Sequence, residues 1–266
     1  MSLPPLNIKD SISDNFVAFL DVMGFSNLVK NGNLKELEDY FNKIREILYA
    51  LRNEKEKIKS FLISDSIILI APSGLDGLRQ LLIAIRRIQS VLLWKKILIR
   101  GAVSYGPVYY DKENNIIVGQ GYIRAYLLEQ EAKYPRVIID PAIIKLVGQD
   151  RTSFLKSVNK TLNYNYELRL VYVRSQFGLI QDDGIFVDYA NKSIKKDELI
   201  GNMARLHKTI VDNLYSEQSL YSKYIWLKDY FLEVLKLTRH SINSESVFDG
   251  AYAKELEKYI EKFERL

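Results

Sequence analysis

The chain has 266 residues, 47% hydrophobic and 27% charged, enough to bury a sizeable core as one large domain or two small ones. It contains no cysteine, which excludes disulfides, zinc–thiolate sites and thiol nucleophiles and points to a reducing cytoplasm; any metal would need oxygen ligands or His207 and His240. The net charge of +5 is dispersed through mixed stretches such as LRNEKEKIK and EKFERL, so solvated helix faces are expected, not a nucleic-acid groove, and no apolar run is long enough to span a bilayer.

Met1 to Asn15 lacks a basic start followed by an apolar core, so no secretory signal is expected and residues 1–15 read as an N-terminal arm. Phe16 to Val22 is apolar with little polar alternation, the pattern of a central strand buried on both faces. Past Gly24 the periodicity changes, and Leu37, Phe41, Ile44, Leu48 and Leu51 recur at helical spacing. IKSFLISDSIILIAP reads as a hairpin whose tip carries Asp65 between Ser64 and Ser66. GLDGLRQLLIAIRRIQSVLLWK is a second helix, with arginines away from its apolar face.

ILIRGAVSYGPVYY follows as a strand, with a bend or close backbone approach expected at Gly101 and Gly106. VGQGYIRAYLLEQEA then reads as a third helix, and RVIID as a strand ended by Pro141. Between Arg151 and Tyr189, LRLVYVRS and GIFVDYA read as strands around the turn QDDG. Beyond Asn191 three helical stretches carry aromatic stripes expected to pack on the sheet or on one another. The order defines an α+β sandwich over residues 16–190, a mainly antiparallel sheet with helices on one face, and a C-terminal helical region over residues 191–266 packed on it.

Two carboxylates stand out because they sit in comparable places. Asp21 ends the buried strand and Asp65 caps the hairpin tip; if these strands are neighbours, both carboxylates reach one sheet edge and can share a magnesium or manganese ion. Each alone is ordinary turn or cap chemistry, and the pair in one pattern is what singles them out. The backbone through Val22, Met23, Gly24 and Phe25 can approach a triphosphate, and Ser26 can contact phosphate or cap the next helix. Asp182 and Asp183 have turn composition, and His207 and His240 lie far in sequence from either carboxylate, so structural roles are expected for them.

FLDVMGF resembles the F-x-D-x-x-G-F signature of class III nucleotidyl cyclases, ISDSIILI their I-G-D hairpin, and IRGAVSYGPVYY their R-x-G-(I/V)-x-x-G-x-V strand. VGQGYIRAYLLEQEA falls where those enzymes read G-x-x-V-N-x-A-x-R-L-E, so the resemblance runs in order from Phe16 to Asp140. It implies a ferredoxin-like cyclase sandwich and a head-to-tail homodimer. It also implies two divalent ions held by Asp21 and Asp65, with the Val22 carbonyl as a further ligand. The implied chemistry is attack of a ribose 3′-oxygen on the α-phosphorus of the same nucleotide, with loss of pyrophosphate.

The departures narrow the expectation. The base-reading lysine of purine cyclases is Phe61 here, and the second base-reading position falls at Ile116. The asparagine and arginine of the family helix fall at Ile123 and Leu127, so Arg100 and Arg124 are the candidate catalytic cations. Phe61, together with AYLLE and YPRVIID, is similar to the bacterial pyrimidine cyclases of Pycsar anti-phage defence. That resemblance implies conversion of UTP or CTP to cUMP or cCMP, which activates a separate effector protein. The alternative is a degenerate cyclase-fold module that binds nucleotide or a protein partner.

Overall fold

The computed structural model describes residues 6–30, 32, 34–53, 58–159, 170–172, 175–180, 184–194, 198–244 and 250–266. A single turn, α1 (Ile8–Ser11), precedes β1 (Ser13–Val22), so the strand begins inside the N-terminal arm. Next come α2 (Phe25–Lys30), α3 (Leu34–Asn53) and the hairpin of β2 (Lys59–Ile63) and β3 (Ser66–Pro72). These are followed by α4 (Leu75–Leu93), β4 (Ile99–Asp111), β5 (Ile116–Val118), α5 (Gln120–Glu129) and β6 (Val137–Ile139). The chain continues through α6 (Pro141–Gly148), α7 (Arg151–Val158), β7 (Val171–Tyr172), β8 (Phe186–Val187) and α8 (Ala190–Ser193). It finishes with α9 (Leu199–Leu214), α10 (Gln218–Ser244) and α11 (Gly250–Glu264).

The fold is α+β, a mainly antiparallel sheet in the order β2-β3-β1-β4-β6-β8-β7, with β5 paired to the outer part of β4. Only the β4–β6 pairing is parallel among those described. Period-two alternation sorts β1 between two cores: Phe16, Ala18, Leu20 and Val22 face α3 and α4, while Val17 and Phe19 face α5. The expectation of helices on one face is therefore corrected, because α5 covers the other. A further core is built by Met203, Trp226, Tyr230 and Phe263 of the C-terminal helices against Tyr172 and Phe186 of the sheet, so their aromatic stripes are packing surfaces.

Gly101 and Gly106 do not interrupt β4, which runs unbroken through both. Both make close approaches: a Cβ on Gly101 would run into the Phe19 carbonyl oxygen, and one on Gly121, which faces Gly106, would stand 3.0 Å from the Gly106 carbonyl oxygen, so α5 lies low on the strand. RVIID ends at Ile139, as Pro141 requires, and Asp140 caps α6 through the Ala142 amide. α7 was not anticipated, although Asp150 accepts from the amides of Thr152 and Ser153 as an N-cap should. Of LRLVYVRS, β7 covers Val171 and Tyr172, while residues 168, 169, 173 and 174 lie outside the described residues, as do Asp182 and Asp183. Among the described residues no helix is long and apolar enough to cross a membrane.

Candidate functional site

Asp21 is the penultimate residue of β1 and pairs across the ladder with Arg100 of β4. Alternation places it on the α5 side, in line with Val17 and Phe19. The β2–β3 connection pairs Ile63 with Ser66 and leaves Ser64 and Asp65 as a two-residue turn. Ser64 takes φ of 55°, the positive value that a tight hairpin demands at its first central position. The hairpin lies beside β1, so Asp65 and Asp21 meet at one edge. Burial pushes the Asp21 carboxyl up, the Arg100 guanidinium pulls it back, and the charge and hydrogen-bonding contact of Asp65 push it up again.

Three more side chains complete this edge. Arg100 donates from Nε and one terminal nitrogen to Asp21 Oδ2, both at 3.2 Å, and its Nε stands 2.6 Å from Glu129 Oε1. Glu129 is only 4% exposed at the end of α5, and burial raises its carboxyl first, with Arg100 opposing and the two aspartates adding to the rise. Tyr40 donates to the Asp65 carbonyl at 3.4 Å; burial and the two carboxylates hold its phenol protonated well above the ordinary range. Sequence reasoning missed Glu129 and Tyr40. The signal for Glu129 was present, because Gly121, Ala125 and Glu129 form the buried i, i+4 stripe of α5, and a carboxylate does not belong on a packing stripe without a partner.

The loop after Asp21 is partly available to an anion. The Met23 amide is engaged by the Leu98 carbonyl at 2.9 Å. Gly24 adopts φ of 83° with open space where a side chain would stand, which turns the chain into α2. Phe25 packs its ring on Tyr40 and Phe41, leaving only its backbone for a ligand. Residues 22–25, Tyr40 and the turn at Lys95 and Lys96 line a cavity of about 450 Å³. Ser26 lies in α2, and its side chain lies outside the described residues.

The remaining candidates are dispersed. Phe61 shares the face of Asp21 but lies two strands away, about 10 Å across the sheet, and its ring is packed edge-on against Tyr110 at 6.3 Å. Ile116 pairs with Asp111, roughly 36 Å along β4 from Arg100. Arg124 is not brought to the carboxylate pair; it is held by Asp140, with one contact at 2.8 Å. Burial pushes the Asp140 carboxyl up, but bonds from Arg124 and the Ala142 amide outweigh it and hold it below the usual range. Ile123 and Leu127 are 52% and 56% exposed on the outer face of α5.

His207 packs on Phe263 and His240 is exposed in α10, so both keep to the helical region. Among the described residues no group of three or more histidines and carboxylates is assembled as a metal cage. Two carboxylates at a sheet edge nevertheless suit a hard divalent ion whose other ligands are water and substrate phosphate.

No family model matches the chain, and no curated protein matches it by sequence. Several solved structures are similar in fold. The non-canonical dimeric guanylyl cyclase domain of the RhoGC fusion protein from the aquatic fungus Blastocladiella emersonii is 17% identical over 52% of this chain and 85% of that one, with a TM-score of 0.43. The guanylate cyclase domain of RhGC from Catenaria anguillulae, in complex with GTP, is 15% identical over 66% of this chain and 96% of that one, with a TM-score of 0.42. The adenylyl cyclase CyaB from P. aeruginosa is 18% identical over 52% of this chain and 83% of that one, with a TM-score of 0.38.

Proposed function

We propose that the chain is a cytoplasmic, metal-dependent pyrimidine nucleotide cyclase, a phosphorus–oxygen lyase that works as a homodimer and converts UTP or CTP to cUMP or cCMP. The observation that supports this most is the meeting of Asp21 and Asp65 at one edge, where three carboxylates face one guanidinium and leave two negative charges when all are ionised. That deficit matches a divalent cation. Asp21 and Asp65, with the Val22 carbonyl, would hold two Mg²⁺ or Mn²⁺ ions, which when bound supply acidification of the ribose hydroxyl and neutralisation of phosphate charge.

The remaining work falls to the chain. The ribose 3′-oxygen attacks the α-phosphorus, forming the cyclic ester while the bond to pyrophosphate breaks. Arg100, with donors left over from Asp21, offers them to phosphate oxygens as charge builds. Gly24 and Phe25 line the cavity, and their amides would be the backbone donors nearest to a phosphate placed there. Phe61, 7% exposed with its ring packed against Tyr110, would stack on a small base only once that packing opens.

Ile116 reaches a nucleotide at the Asp pair only from a second copy, given its distance along β4. The exposed apolar side chains of Ile63, Val118, Ile123, Tyr126 and Leu127 favour such a homodimer on the α5 side. The product would serve as a second messenger in anti-phage defence, read by a separate effector; the support for this is Phe61 with the AYLLE and YPRVIID stretches.

Incubating the purified protein with each of the four nucleoside triphosphates and Mn²⁺, then separating the products, tests the proposal. A cyclic pyrimidine monophosphate is expected, and cAMP or cGMP as the main product overturns the base assignment. A second reading, a nucleotide-binding module without turnover, is favoured by the aliphatic, exposed Ile123 and Leu127 and by the engagement of Arg124 with Asp140. Nucleotide binding that yields no product and is unchanged by a chelator selects it.

A further inference from the structure

Glu129 stands in a costly place. It is the last residue of α5, where a carboxylate opposes the helix dipole, and it is 4% exposed. Among the described residues its Oε1 has no hydrogen bond, although Arg100 Nε lies 2.6 Å away. A leucine or glutamine would serve packing at this position at lower cost, so the carboxylate calls for a reason beyond the core. The Gly121–Ala125 stripe lets α5 lie low on β4 and brings the Glu129 carboxylate down to the level of Arg100. Arg100 is thereby gripped from two elements, by Asp21 on β1 and by Glu129 on α5.

We propose that Glu129 is a positioning residue that anchors the Arg100 guanidinium at the carboxylate pair, keeping it aimed at substrate phosphates once a divalent cation has taken Asp21. The inference rests on the cyclase reading above. A cation on Asp21 removes both 3.2 Å contacts of Arg100 and repels its charge. Glu129 then holds the arginine in place by the contact it already makes, and without it the guanidinium turns toward solvent, to which its side chain is already 32% exposed.

A double-mutant cycle on the full chain tests this, using Glu129→Gln, Arg100→Gln and the double variant. Pyrophosphate binding in saturating Mn²⁺ is measured by calorimetry, and kcat and KM are measured with the preferred nucleotide. Glu129→Gln is expected to weaken pyrophosphate about tenfold and to raise KM similarly, with Mn²⁺ affinity kept within about threefold and the melting temperature not lowered. In the Arg100→Gln background the same substitution should cost less than about twofold. Losses that simply multiply, or a Glu129→Gln enzyme with wild-type pyrophosphate affinity, overturn the positioning role while leaving the cyclase reading intact. Wild-type protein that binds neither Mn²⁺ nor pyrophosphate removes both. Arg100→Lys, which keeps the charge, completes the cycle should Arg100→Gln fail to fold, with the same non-additivity expected.

Discussion

At the Asp21 edge of the sheet the buried carboxylate of Glu129 is short of donors, whereas those beneath the C-terminal helices are well served. Glu233, fully buried in α10, accepts from the Ser175 hydroxyl at 2.7 Å and from the amides of Gln176 and Phe177 at 2.6 and 3.1 Å. Asp188 accepts from the Tyr230 hydroxyl at 2.7 Å, and that oxygen in turn accepts from the amides of Tyr189 and Ala190. Glu129 Oε1, by contrast, has only an unaligned ion pair, and Asp21 is crowded by Asp65. A carboxylate whose lone pairs are met by the protein is a strut, while one left short can still take a cation or a proton. Burial alone therefore does not separate Glu129 from Glu233; hydrogen-bond satisfaction does.

The contrast can be broken by substitution. The largest effect is expected from Asp65→Ala, which should lower turnover by roughly 10³-fold, about 4 kcal/mol, while the melting curve stays where it was. Glu233→Ala should do the reverse: it leaves three donors unmet, costs about 3 kcal/mol, and lowers the melting temperature by roughly 8 °C with kcat unchanged below the transition. If Glu233→Ala melts like wild type, the strut assignment is lost.

Asp21→Asn sharpens the comparison through pH. Because burial raises the Asp21 carboxyl, the folded state holds its proton more tightly than the unfolded chain, and stability falls as pH rises through the raised value. The Asn variant should be inactive yet more stable than wild type at pH 7 to 8, with the difference vanishing below about pH 4, the ordinary carboxylate range. Melting curves across pH check the sign, and an Asn variant less stable at pH 8 contradicts it. The smallest effect is expected at Ser64, where φ of 55° strains a side chain: Ser64→Gly should gain about 0.5 kcal/mol in denaturant unfolding.

Much of this was legible from local pattern. The apolar run around Phe19, the helical spacing through Ile44 and the hairpin bearing Asp65 all formed as read, because period and turn chemistry are local properties. β5 and α7 were not legible: three residues of β5 are too few to show alternation, and α7 was masked by an expectation of strands downstream. Arg100 and Arg124 looked alike in sequence, and only packing assigned one to Asp21 and the other to Asp140.

By itself the sequence determined the α+β class, the two carboxylates and the aromatic at position 61, since each is written in residue type and short-range spacing. The tertiary structure decided which groups surround those carboxylates. Glu129 reaches Arg100 because glycine and alanine let α5 sit low on β4, and Tyr40 reaches Asp65 because α3 crosses the same sheet edge. Both contacts join residues far apart in the chain, and their energetics depend on burial, which no single window of sequence encodes.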